Sequence, residues 1–534
     1  MQRLTKKCPK PIAIPIVFVP GMMGSRLRRS DNKALIWDTK MAFLLSTWAG
    51  STGVERRKLL FGKSNEFFNS KFLEVDPSSY REFKGNVQFG TIRTKLARGW
   101  GGVLWGSYGE FLKWLDSDLQ RNLPDFPIDC SNIHFEVWAH PYNWTDSNEN
   151  AALGITDNDD GPRVNGLTDV VATAFAETTA KYQDVKDIKI LKPIVITHSM
   201  GGLVARAYSV LGDGQDKVHT VIHGAMPTHG APVAYKRMRG GFGGATETIL
   251  GADAAEVTPM LANSPGGLQL LPNQYHKNKE GEKEWLKVTV ETEGDIQNLP
   301  RSNPYEEIYG LRNSWLRLTN PEYINPLNPD IEGIWLDYII NLDIAQKFHG
   351  DLGEQGFHEP TNMFYCASKD QPSYDRIEWK AANVHKMSEK NKQIAKQLLS
   401  KRDLPLHDDG NGNLRFLLSQ PEDLDKLEYL KDMDHLDRLD HLIQMAEMGS
   451  TMNNTEVDTL EVRLQGPNSA GDGTVHTGSG IDLSFPYTIT SDSITKGKDE
   501  KEVAFSHQDA FTNTEVRKKI AKWISEIIVE ETKN

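Results

Sequence analysis

Pro193-Ile194-Val195-Ile196-Thr197-His198-Ser199-Met200-Gly201-Gly202-Leu203-Val204-Ala205-Arg206 joins a β-branched apolar run to a helix-forming run through a corner of small residues. Ser199 stands at that corner. A strand–turn–helix of this kind lifts a serine hydroxyl above the sheet edge, the arrangement called a nucleophile elbow. The helix begins beside Ser199, so its free N–H groups and its dipole face any oxyanion formed there. Gly201 has no Cβ and lets the helix cross the strand closely. The first glycine of the usual G-x-S-x-G is replaced by Thr197, which brings a Cβ into a crowded position. Serine and glycine also end ordinary strands, but a clean strand before and a clean helix after favour the nucleophile. The stretch predicts a serine hydrolase.

The rest of that machinery has expected places. One oxyanion donor is the N–H after the nucleophile, here Met200, and the second comes from a loop after an early strand. Ile12 to Val19 reads as that strand and runs into Pro20-Gly21-Met22-Met23-Gly24-Ser25, which makes Met22 the second candidate. An acid and then a histidine must follow the serine. Gly471-Asp472-Gly473-Thr474-Val475 offers a glycine-framed acid, and Val503-Ala504-Phe505-Ser506-His507 ends an apolar run on a histidine. His507 would take the Ser199 proton, and Asp472 would fix its tautomer. Asp370 is the rival acid, and His476, close to Asp472 in sequence, is expected at the rim.

These motifs resemble the lecithin:cholesterol acyltransferase-like and GPI-inositol-deacylase-like branch of the α/β-hydrolases. Val19-Pro20-Gly21-Met22-Met23-Gly24-Ser25-Arg26-Leu27 is similar to its first-strand signature, followed by Trp37-Asp38. Ala139-His140-Pro141-Tyr142-Asn143-Trp144 is similar to its P-Y-D-W segment, with Asn143 for Asp. Ser264-Pro265-Gly266-Gly267-Leu268-Gln269-Leu270-Leu271-Pro272 is similar to its cap segment, and Gly471 to Val475 to its acid motif, which favours Asp472 over Asp370. Within the branch, His223 to Pro227 and Tyr235 to Arg239 are most similar to antibacterial lipase effectors delivered by type VI secretion. The resemblance implies a lipid substrate, a cognate immunity protein and a secretion spike component as partners.

Composition bounds the alternatives. With 534 residues, 38% hydrophobic and 25% charged, the chain is an ordinary globular protein, long enough for insertions. A net charge of −12 argues against nucleic acid and against general attraction to anionic lipid. Cys8, Cys130 and Cys366 form neither a disulfide framework nor a metal spacing. Arg3, Lys6 and Lys7 precede an apolar stretch, but Pro11 and Pro15 interrupt it and no cleavage site follows. That stretch is expected to be a core strand, and export to proceed without a leader. The expected sites are the producer's cytoplasm, then the periplasm or membrane of a target cell.

The predicted fold is α/β: an α/β-hydrolase with a mostly parallel central sheet and large cap insertions. The core is expected over 10–40, 101–225, 356–372 and 456–534, with caps at 41–100, 226–355 and 373–455. Core strands are expected near 12–19, 133–138, 188–196, 218–223, 361–367, 459–464 and 502–506. Leu424, Leu427, Leu430, Met433, Leu436, Leu439 and Leu442 recur every three residues, a stripe that drifts around an α-helix. Asp157-Asn158-Asp159-Asp160-Gly161 and Asp408-Asp409-Gly410-Asn411-Gly412 fail the full calcium-loop pattern and read as turns. No cofactor and no metal ligand set is expected, with calcium dependence left open.

The expected activity is hydrolysis of a lipid carboxylic ester, with an A1-type phospholipase preferred. Acyl transfer to an alcohol would use the same triad. An interaction protein with a decayed site is the reading from a different class.

Overall fold

Ile12-Ala13-Ile14-Pro15-Ile16-Val17-Phe18-Val19 is buried along its whole length, because it lies in the middle of a parallel sheet covered on both faces. The computed structural model describes residues 10–38, 40–61, 72–77, 89–124, 126, 131–154, 164–290, 294–354, 356–382, 384–402, 404–405, 407–418, 459–480, 489–493 and 504–533. The leucine-spaced stretch 424–442, the turn 157–161, Cys8 and Cys130 lie outside the described residues.

Seven strands form the central sheet: β1 (Ile12–Val19), β2 (Ile133–Ala139), β3 (Lys189–Ile190), β4 (Ile194–His198), β5 (Thr220–Gly224), β6 (Thr361–Tyr365) and β7 (Ile489–Ser493). Their order is β7-β6-β5-β4-β1-β2, with β3 also on β1, and every pairing described is parallel. Parallel neighbours need helical crossovers, which Leu167–Tyr182 and Gly201–Leu211 supply. Pro15 sits opposite the gap between β3 and β4, which pair with Ala13 and Ile16 respectively, so its missing N–H removes no ladder bond there.

A second sheet stands outside this core. It orders the strands Gly294–Leu299, Leu286–Val290, Ile377–Ala381, Thr459–Leu464, Asn413–Leu417 and His407–Asp408. Thr459–Leu464, expected in the core, belongs here and pairs antiparallel on both sides. Its alternation of Leu460, Val462 and Leu464 signals a strand with one buried face, the habit of an antiparallel sheet, not of a doubly covered parallel one. The last core strand is Ile489–Ser493, whose polar sequence hid it. Residues 504–506, expected to be a strand, are irregular. Asp408 to Gly412 forms a turn in which the Asp409 carboxylate accepts from the N–H groups of Asn411 and Asn413.

The early insertion is tied to the later one. Helix Gly53–Phe61 packs on helix Ala254–Leu261 so closely that a Cβ on Gly53 would meet the Ala255 oxygen at 2.2 Å. Next to the loop after β1, Arg26 is buried between two carboxylates: Nη2 lies 2.6 Å from Asp76 and Nη1 3.5 Å from Asp38. Arg26→Met removes the guanidinium from both buried acids and is expected to cost about 3–5 kcal/mol. A urea midpoint unchanged from wild type would show that this ion pair does not hold the loop.

Candidate active site

The end of β4 turns at Ser199, whose φ of +51° is left-handed and rare for a residue with a side chain. The turn is held from both sides: the Ser199 N–H donates to Gly224 O (2.8 Å), and the Gly202 N–H donates to Ser199 O (2.9 Å). Helix Gly201–Leu211 then crosses β1 closely, and a Cβ on Gly201 would lie 2.5 Å from Pro20 O and 2.6 Å from Val19 O. Thr197, in the place of the usual glycine, is accommodated because its Oγ1 meets His223 Nδ1 at 2.9 Å on the neighbouring strand. The loop after β1 rests on the serine itself. A Cβ on Gly21 would come within 2.9 Å of Ser199 Cβ.

His507 arrives from the C-terminal segment. Its Nε2 lies 2.8 Å from Ser199 Oγ, and its Nδ1 lies 2.7 Å from Asp472 Oδ2. The other Asp472 oxygen accepts from the N–H groups of Thr474 (2.9 Å) and Val475 (2.7 Å), and the His507 N–H donates to Asp472 O. Burial pushes the Asp472 carboxyl up. The histidine charge, its hydrogen bond and the two turn N–H groups outweigh that, holding Asp472 below the usual carboxylate range. With Asp472 ionised, Nδ1 donates to it and Nε2 accepts from the serine hydroxyl. The structure thus brings Ser199, His507 and Asp472 into one hydrogen-bonded line. The backbone N–H groups of Met22 and Met200 donate to no acceptor among the described residues, which leaves both available to an oxyanion.

Asp370 is exposed on the strand Ser368–Ser373 and has no contact with His507. His476 is not at a rim. It is buried against Asp375, with Nδ1 at 3.3 Å from Oδ1, because the hairpin that carries Asp472 turns it inward. Ser199 is 7% exposed.

Three more residues serve the site. The Gly21 N–H donates to Tyr108 Oη (3.3 Å), Tyr108 donates to His198 Nδ1 (2.7 Å), and His198 Nε2 donates to the His507 carbonyl (2.9 Å). One buried chain of hydrogen bonds therefore joins the loop after β1, the end of β4 and the segment that carries His507. Burial pushes His198 down to about 3, with the His507 charge adding to it, so the ring is neutral and its tautomer fixed. Arg237, over the Phe242 ring, donates to Thr474 Oγ1 at 3.2 Å and so braces the acid turn. His198 stood inside the motif with no sign of its partners. Tyr108 left no signal, being ninety residues from His198.

Residues 159–255, which include Ser199, match the model of the family described as PGAP1-like alpha/beta domain. Over that stretch the chain is similar to this family, and the fold around it is that of an α/β-hydrolase. It is similar to the crystal structure of the Tle4-Tli4 complex, at 23% identity over 97% of this chain and 98% of that one, with a TM-score of 0.68. At that identity the likeness speaks for the fold. Phospholipase PlaB from Legionella pneumophila overlaps 52% of this chain and 69% of its own at 11% identity, but a TM-score of 0.17 carries no argument. No curated protein matches the sequence.

Two outcomes follow from this geometry. Tyr108→Phe and His198→Ala release the base loop from the oxyanion loop and are expected to lower kcat by about 10- to 100-fold with KM nearly constant. His198→Gln, which restores a donor toward the His507 carbonyl, recovers part of that loss, and equal defects in both His198 variants would refute the positioning role. The second outcome concerns pH. Burial is the leading cause that pushes His140, His198, His223, His349 and His358 down to about 4, 3, 3, 3 and 4. The unfolded chain binds these protons near pH 6.5 and the folded chain does not, so stability is lost as pH falls below that value. The denaturant midpoint is expected to drop between about pH 7 and pH 5, with several protons taken up on unfolding. Asp146, raised to about 6, opposes this by one proton, so a flat midpoint would show that the histidines are hydrated in the fold.

Proposed function

We propose that the protein is a serine hydrolase of lipid carboxylic esters, a phospholipase with A1-type preference. The hydrogen-bonded line Asp472–His507–Ser199 is the observation that carries this reading. Ser199 Oγ attacks the ester carbonyl while His507 Nε2 takes its proton, and the N–H groups of Met22 and Met200 hold the oxyanion. The alcohol leaves with the proton from His507. Water, deprotonated by the same nitrogen, then releases the fatty acid and restores the serine. Asp472 stabilises the imidazolium at both stages.

The resemblance of His223 to Pro227 and of Tyr235 to Arg239 to type VI secretion lipase effectors supports an antibacterial role. In that role the chain leaves its producer's cytoplasm, carried by a spike component, and acts on phospholipid at the target cell's periplasm or membrane. The similar Tle4 was solved in a complex with Tli4, which supports a dedicated protein partner, here an immunity protein that holds the site closed. No cofactor enters this mechanism.

The test is release of labelled fatty acid from phosphatidylethanolamine and phosphatidylglycerol with different chains at the two positions, with and without calcium. The sn-1 chain is expected, and Ser199→Ala is expected to lower turnover by about 10⁴-fold or more. Equal release from wild type and Ser199→Ala would overturn the serine mechanism. Acyl transfer to an added alcohol in place of free acid would move the protein to the acyltransferases.

A further inference from the structure

A cavity of about 430 Å³ opens at the C-terminal end of β2, and none of its residues takes part in the mechanism above. Its walls include Arg98, Trp138, His140, Tyr142, Asp146 and Val164. β1 lies between β2 and β4, so the cavity is two strand spacings, or roughly 10 Å, from the nucleophile's strand. It also touches the oxyanion loop, because Tyr142 Oη donates to Pro20 O at 3.0 Å.

Asp146 is the informative group. It is 7% exposed, and its Oδ1 accepts from the Ser147 N–H (2.8 Å) and from Asn150 Nδ2 (3.1 Å). Its Oδ2 has no hydrogen-bond partner among the described residues and keeps solvent access in the lining of the cavity, on a side chain otherwise buried. Burial pushes this carboxyl up to about 6, the mark of a charge that lacks a counter-ion. The neighbouring cation cannot serve. Arg98 is held by Glu136 at 2.8 Å and lies 4.1 Å over the Trp138 ring. Glu74 and Asp169 also line the cavity, but Glu74 is paired with Arg28 and Lys33 and Asp169 accepts from the Gly166 N–H, while Pro141, Val164, Val170 and Ala151 make much of the surface apolar. A volume of this size suits a small ligand.

We propose that this cavity binds a primary ammonium group on a short carbon chain, with the nitrogen donating to Asp146 Oδ2. Two sources carry that chemistry: the ethanolamine head group of a phospholipid, and a free amine. The first source rests on the phospholipase reading and the second does not.

The first arm uses the full chain carrying Ser199→Ala, so that no turnover intervenes, and titrates phosphoethanolamine by calorimetry against inorganic phosphate as control. Binding of phosphoethanolamine but not of phosphate is expected. Asp146→Asn, which keeps the Oδ1 acceptor, is expected to weaken binding at least tenfold. Val164→Trp, on an exposed wall, does the same by filling the mouth and tests the cavity without touching Asp146. Equal affinity in both variants, or phosphate bound as well as phosphoethanolamine, overturns the proposal. The second arm gives the active chain mixed vesicles of phosphatidylethanolamine and phosphatidylglycerol. Loss of ethanolamine-lipid preference in Asp146→Asn, with phosphatidylglycerol turnover unchanged, assigns the cavity to the lipid head group. An unchanged preference, with phosphoethanolamine binding lost, assigns it to a free amine. Failure of every lipid to turn over would count against the phospholipase alone, since the calorimetric arm needs no reaction.

Discussion

The left-handed backbone of Ser199 is the constraint on which the rest of this site depends. A side chain in that conformation stores strain of about 1–3 kcal/mol, and it persists only where the surroundings over-determine it. Here the Gly224 carbonyl takes its N–H, the Gly202 N–H takes its carbonyl, and two glycines let the chain close in. Gly201 brings the helix onto β1, and Gly21 brings the next loop onto Ser199 itself. The strain and the oxyanion loop are therefore one device. The turn that exposes Oγ also fixes where the N–H groups of Met22 and Met200 stand.

Precision in the base comes from a second set of contacts. His507 enters from a segment more than three hundred residues after the serine, and a base so remote in sequence needs an anchor besides its acid. Asp472 holds the ring, while His198 holds the backbone carbonyl of the same residue. Because His198 is buried and neutral, it donates without adding a charge that would compete for Asp472. Tyr108 then passes the constraint to Gly21, so the base and the oxyanion loop cannot drift independently. On the far side, Arg237 fixes Thr474 and leaves Asp472 free to accept from the turn N–H groups and from His507.

Local chemistry explains what could be read from the sequence. The strand–turn–helix around Ser199 and the glycine-framed turn at Asp472 are short patterns whose geometry is fixed by neighbours in the chain. β1, buried on both faces, reads as an unbroken apolar run. Long-range pairing left weaker marks. Leu460, Val462 and Leu464 announced a strand but not which sheet would receive it, and Ile489–Ser493 is too polar to announce a core strand at all. His476 looked like a loop residue because its partner, Asp375, lies a hundred residues away. Long separations also hid Tyr108 and Arg237, whose roles exist only once β4, the acid hairpin and the helix Val233–Gly240 have met.

The oxyanion loop has two faces, and the fold loads both. One face carries Gly21 against Ser199, and the other accepts Tyr142 through Pro20 O. Tyr142 belongs to the cavity that holds the unpartnered Asp146 oxygen. Tyr142 is buried and held there, and its hydroxyl meets a carbonyl two residues from Met22. The first strand, buried along its whole length, gives the loop its root at Val19. Movement is thus confined to the few residues between Val19 and Arg26, whose far end is clamped by Asp38 and Asp76. A loop fixed at both ends and contacted on both faces has few conformations, which in the proposed mechanism would keep its N–H groups preorganised for an oxyanion before any substrate arrives.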